Sequence, residues 1–160
     1  MTLEGRIEHQ SNSAQFQWLV DETFYTLTSS VAAGDEWLFA RLGANDADFN
    51  LRRDTALIQR RKGEAETVFA NVIEPHGRYS RVTELTEQPF GRVKSVQVVH
   101  NDDQYTAVVI DVDDHELLVI IANADFSKDA SHALQLDGQT QRWQGPFFYR
   151  QQYEIPTIHD

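Results

Sequence analysis

The chain has 160 residues, a net charge of −11 and no cysteine. Without Cys, disulfides, thiolate chemistry and Cys-based zinc sites are excluded. The acidic balance disfavours nucleic acid, anionic membranes and, at the level of net charge, acidic polysaccharides. Hydrophobic residues make up 41%, with three Trp, nine Phe and five Tyr, so a single domain over 1–160 can bury roughly 70% of its unfolded surface.

The opening Met1-Thr2-Leu3-Glu4-Gly5-Arg6 lacks the apolar core of a signal peptide. No run approaches the ~20 apolar residues of a membrane-spanning helix. Leu3 to Glu8 predicts a short first strand. Gln15 to Val20 alternates, with Phe16, Trp18 and Val20 on one face and Gln15 and Gln17 on the other. Thr23 to Ser29 follows the polar pair Asp21-Glu22. Glu36 to Leu42 and Thr67 to Ile73 are apolar on both faces, as strands inside a sandwich are. Arg53 to Arg61 fits a turn or two of helix, capped by Asp54, or a strand. The stretches Gly43 to Asn50 and Glu74 to Gly91 read as long loops.

Val93 to Val99, Gln104 to Val112 and Glu116 to Ala122 are β-rich runs separated by Asn101-Asp102-Asp103 and Asp113-Asp114. Short Asx turns between such runs predict an antiparallel meander. His132 to Leu136 and Gln139 to Trp143 flank Asp137-Gly138, which suits a type I′ hairpin turn. Phe147 to Tyr153 predicts a last strand. The expectation is an all-β fold, an antiparallel two-sheet sandwich with very little helix.

Four groups of residues could carry chemistry. Glu74, His76, Arg78 and Tyr79 lie close together; His and Tyr are suitable acid–base groups beside a carboxylate that Arg neutralises. The simpler reading is a turn shaped by Pro75 and Gly77. The run Asp111 to Glu116 offers oxygen and imidazole ligands, or is a solvated hairpin tip. Arg52, Arg53, Arg60, Arg61 and Lys62 form a basic cluster that could meet an anionic sugar or a neighbouring domain, or is a solvated face. Among the aromatics Trp18, Trp37, Trp143, Phe147, Phe148 and Tyr149, Trp143 is the best candidate for exposure to a sugar ring, against a default of core packing. Nucleophile elbows, phosphate-binding glycine loops and HExxH spacings are absent from the sequence.

The strings Leu38-Phe39-Ala40-Arg41-Leu42-Gly43-Ala44-Asn45-Asp46, Phe49-Asn50-Leu51-Arg52 and Val68-Phe69-Ala70-Asn71-Val72-Ile73-Glu74-Pro75-His76-Gly77 resemble the C-terminal part of heparinase II/III-like polysaccharide lyases, and within them the oligoalginate lyases. The resemblance runs from Phe16-Gln17-Trp18-Leu19 to Trp143-Gln144-Gly145-Pro146. It implies a parent enzyme with an N-terminal α/α toroid followed by β layers. Such a parent is periplasmic or secreted and cleaves uronate-containing chains by β-elimination. It also implies that catalytic Asn, His and Tyr residues and a structural zinc belong to the toroid and the upstream β region. No position of this chain matches those motifs, so no catalytic residue, metal ligand or cofactor is carried over.

The expectation that follows is a non-catalytic C-terminal accessory domain whose partner is the remainder of the lyase. Two alternatives stay open. One is a carbohydrate-binding module contacting acidic polysaccharide through His76, Arg78, Tyr79 or Trp143. The other is a self-sufficient lyase using His76 and Tyr79.

Overall fold

In a computed structural model the described residues are 4–6, 13–43, 53–63 and 66–153. They contain thirteen strands: β1 (Glu4–Arg6), β2 (Ser13–Val20), β3 (Thr23–Ser30), β4 (Asp35–Gly43), β5 (Arg53–Arg61), β6 (Asn71–Tyr79), β7 (Thr86–Glu87), β8 (Val93–Asn101), β9 (Tyr105–Val112), β10 (His115–Ala122), β11 (Ser131–Leu136), β12 (Gln139–Gln144) and β13 (Phe147–Tyr153). All pairings are antiparallel, and no helix occurs among the described residues. The expected all-β antiparallel fold is what forms.

The chain divides into two compact units, 32–67 and the remainder. The larger unit holds a five-stranded sheet in the order β1-β2-β3-β6-β7, a four-stranded sheet β13-β10-β9-β8 and the hairpin β11-β12. The four-stranded sheet is apolar on both faces. On one, Val93, Val96 and Val112 pack with Val108, Ile110 and Leu117 against Ala70 and Val72, which lead into the five-stranded sheet. On the other, Ala107, Leu118 and Ile120 pack with Leu134, Leu136 and Trp143 of the β11-β12 hairpin. Near-continuous β-branched runs in β8 to β10 follow from this burial on two sides.

Two-residue turns set the registers. Val112 pairs with His115 across Asp113-Asp114, and Leu136 pairs with Gln139 across Asp137-Gly138. Asp137 and Gly138 have φ of 47° and 78°, as a type I′ turn requires. The same device joins β2 to β3, but with Asp21 and Glu22 at φ 45° and 69°, a conformation that strains a glutamate.

Thr67 to Ala70, expected as strand, precede β6, and Glu36 to Leu42, expected inside a sandwich, lies in the two-stranded β4-β5 sheet. Of two further segments, the first settles an open choice and the second departs from expectation. Arg53 to Arg61 is strand β5 throughout, paired residue for residue with β4; cross-strand pairing decides between two local preferences that the sequence leaves nearly equal. Glu74 to Tyr79, expected as loop, continues strand β6. Pro75 is tolerated because, among the described residues, β7 begins to pair with β6 only at Arg78, so the missing N–H lies along an open edge.

The smaller unit is one long hairpin, β4-β5. At its base Asp35 takes a two-pronged contact from Arg61, with Nε at 2.6 Å and Nη2 at 3.0 Å. Burial pushes the Asp35 carboxyl up, but hydrogen bonds from Arg61, the Ala32 N–H and Gln59 outweigh it and hold the group below its ordinary value.

Candidate functional site

The inner face of the five-stranded sheet is polar. Ser13, Thr26 and Thr28 are buried there, with Gln15, Gln17, Glu74 and His76 in register beside them. Sandwich interiors are ordinarily apolar, so each of these groups needs a partner. Thr26 and Thr28 find theirs within the sheet, at His76 and Gln15; the other five find theirs in the segment Gln88 to Val96, which enters β8, the edge strand of the four-stranded sheet. The Ser13 hydroxyl donates to Val96 O at 3.0 Å and accepts from Val96 N at 2.7 Å. Gln15 Nε2 donates to Val93 O at 2.7 Å, and Gln17 Nε2 donates to Pro89 O. Side chains of one sheet thus replace the missing neighbour strand of the other, which protects an edge that would otherwise be a template for association.

The Glu74–Tyr79 segment belongs to the same arrangement. The Glu74 carboxylate accepts from Arg92 N at 2.8 and 2.9 Å and from Val93 N at 3.1 Å. His76 uses both ring nitrogens: Nδ1 lies 3.1 Å from Gln88 O and Nε2 lies 2.8 Å from Thr26 Oγ1. A carbonyl can only accept, so Nδ1–H donates to Gln88 O, and Nε2 pairs with the threonine hydroxyl. The imidazole also stacks on Phe24, with 6.0 Å between centroids.

Gly77 is the extra residue of a β-bulge, where the register slips between Phe24↔His76 and Thr23↔Arg78. Its φ is +53°, and a Cβ there would sit 2.7 Å from the Gln88 carbonyl carbon and closer still to the Glu87 and Gln88 oxygens. Only glycine lets the 86–88 segment come this near. Arg78 is exposed and pairs with Glu87, while Tyr79 pairs with Thr86 and its N–H donates to Glu22 O at 2.8 Å. Glu74, His76 and Gly77 therefore fasten the chain to itself, and no free acid–base pair stands among them.

Trp143 lies elsewhere, on β12, on the far side of the four-stranded sheet. It is half-buried and its ring packs against Tyr105 (5.3 Å), His132 (5.1 Å) and Phe148 (5.9 Å). The structure does not bring it to His76. Tyr105 and His132, which sequence reading passed over, share this cluster, with Tyr105 Oη 3.3 Å from His132 Nδ1. The Asp137-Gly138 turn contained that signal, because a two-residue turn there sets His132 opposite Trp143.

Several of the other candidates are paired locally. Arg60 and Lys62 both contact Glu36 and hold its carboxyl below the ordinary value, chiefly through the Arg60 hydrogen bond. In the turn after β9, Asp114 contacts His115 Nδ1 and Arg92 Nη2, each at 2.6 Å. The His115 hydrogen bond, ahead of the Arg92 charge, lowers its pKa. Arg52 lies outside the described residues.

An alginate lyase of Stenotrophomonas maltophilia is 33% identical over 145 residues, which cover 89% of this chain and 19% of that protein. An exo-oligoalginate lyase of Saccharophagus degradans is 31% identical over 136 residues, covering 83% of this chain and 18% of that protein. The chain is related to polysaccharide lyases. It spans about a fifth of the length of these curated relatives. No protein-family model matches it.

Proposed function

We propose that this chain is the non-catalytic accessory β domain of a heparinase II/III-like polysaccharide lyase that cleaves uronate-containing polysaccharide, alginate-like or heparin-like, by β-elimination. One observation carries the reading. In the segment Glu74 to Gly77, which ends one of the strings that resemble those enzymes, the functional-looking side chains are spent on internal hydrogen bonds. A proton-abstracting group needs a nitrogen or oxygen free to meet substrate, and both nitrogens of His76 are engaged.

The rest of the lyase, a toroid with an upstream β region, is the proposed partner, and the periplasmic or secreted location goes with that parent. The carbohydrate-binding alternative rests on Trp143, whose indole faces three aromatic neighbours. The self-sufficient lyase is disfavoured by the same two hydrogen bonds that hold His76.

The test removes this domain from the product of the complete reading frame. The expected result is lost stability and lost yield of folded enzyme, with the reaction chemistry intact in whatever remains folded. A truncated enzyme as stable and as active as the whole would overturn the proposal.

A further inference from the structure

The four-stranded sheet ends in β13, whose outer edge has no neighbour among the described residues. Ala122 N donates to Pro146 O at 2.9 Å, and bonded and non-bonded pairs alternate along an antiparallel ladder. In the register Ile121↔Phe147 to His115↔Tyr153, Phe148, Arg150 and Gln152 are therefore bonded to β10. Phe147, Tyr149, Gln151 and Tyr153 turn their N–H and C=O groups outward.

The side chains of those four residues share one face of the strand. Phe147 is 65% exposed, Tyr149 56% and Tyr153 63%, and Ile121 beside Phe147 is 43% exposed. The first sheet covers this face of the four-stranded sheet around Val93, Val96 and Val112 and leaves the aromatic stripe open. Edge strands are ordinarily blunted by charge, proline or a bulge. Here the stripe carries none of these, and Arg150, the one charged residue of β13, alternates to the opposite face.

Resting on the accessory-domain reading, we propose that β13 is the seam: the upstream chain of the lyase adds a strand to its open edge and covers Phe147, Tyr149, Tyr153 and Ile121. Strand addition supplies main-chain hydrogen bonds, and alternate side chains supply the packed contact. Two observations favour this occupant. About four fifths of each relative lies outside the matched span, enough chain to cover such a face. A polyanionic sugar would need cations, and the stripe has no Lys or Arg on a chain of net charge −11; an uncharged aromatic face fits a protein surface.

Hydrogen exchange of the four outward amides tests the seam, in this chain alone and in the product of the complete reading frame. They exchange fast in the chain alone. In the longer product they slow by about a hundredfold, while the inward amides of β13 keep their rates. Tyr149→Lys abolishes that added protection and leaves the melting of the isolated chain unchanged. Equal exchange of the outward amides in both proteins overturns the seam and leaves the accessory role standing. Protection already present in the isolated chain, with a dimer on size exclusion, assigns the edge to self-association and overturns it too. Slowing by oligouronate alone assigns the stripe to sugar. A reading frame that adds no further chain overturns the accessory-domain reading itself.

Discussion

Replacing Gly77 by alanine separates two reasons for a glycine. Gly77 and Gly138 both have positive φ, +53° and +78°, so alanine at either costs about 1 kcal/mol for the left-handed backbone. At Gly138 a Cβ meets nothing within 4 Å, and the cost stops there. At Gly77 the Cβ would lie 2.7 Å from the Gln88 carbonyl carbon, where ordinary contact starts at 3.4 Å. The backbone must therefore give way by at least 3.4 − 2.7 = 0.7 Å, and by more for the Glu87 and Gln88 oxygens, which lie nearer still.

That shift pulls β7 off β6 and takes Gln88 O away from His76 Nδ1. Two or three hydrogen bonds at ~1 kcal/mol each are then weakened or lost. The expected total is about 3 kcal/mol, some 2 kcal/mol beyond Gly138→Ala, or a factor of about 30 in the unfolding constant. Urea unfolding of both variants, followed by tryptophan fluorescence, reads the difference. If Gly77→Ala costs no more than Gly138→Ala, the fastening of the 86–93 segment through β6 is wrong.

Three further predictions concern other parts of the fold. Glu22→Gly relieves the strained turn between β2 and β3 and raises stability by about 0.5–1 kcal/mol, seen as a higher urea midpoint; a lower one would mean that the Glu22 side chain contributes more than its backbone costs. Asp35→Ala removes the carboxylate that Arg61 grips at the hairpin base, where the two side chains are 0% and 10% exposed, and costs the hairpin about 3 kcal/mol. Amide exchange should then quicken in β4-β5 and stay unchanged in the larger unit. Backbone N–H groups of Tyr105 and Gln104 hold the Asp102 carboxyl below its ordinary value. A depressed folded pKa gives stability that is present above the ordinary carboxylate range, near pH 4, and is lost as pH falls through the folded value. Asp102→Asn keeps an acceptor oxygen but cannot titrate, so thermal melts from neutral to acid pH should show a shallower acid loss than the parent chain; parallel curves would remove this group from the acid response.

The second half of the fold was legible because its signals are local. Asx turns and the Asp137-Gly138 pair fix short connections, and short connections fix register. The segment from Glu74 to Tyr79 was not, because Pro75 and Gly77 ordinarily interrupt a strand. Here proline lies along an open edge and glycine forms a bulge, and both conditions depend on neighbours remote in sequence. The Gln15 and Gln17 face was read correctly as one side of a strand, but alternation cannot tell a solvated polar face from one bonded to another sheet's edge. His76 drew notice as an acid–base residue because the sequence gives the residue type and not its partners. Thr26 lies 50 residues before it and Gln88 12 after.

The non-catalytic role is tested by the initial rate of unsaturated uronate formation by this purified chain on alginate and on heparin. A chain without a reaction centre of its own gives no product above the enzyme-free rate, and neither does His76→Ala. Sustained turnover that disappears in His76→Ala would contradict that role.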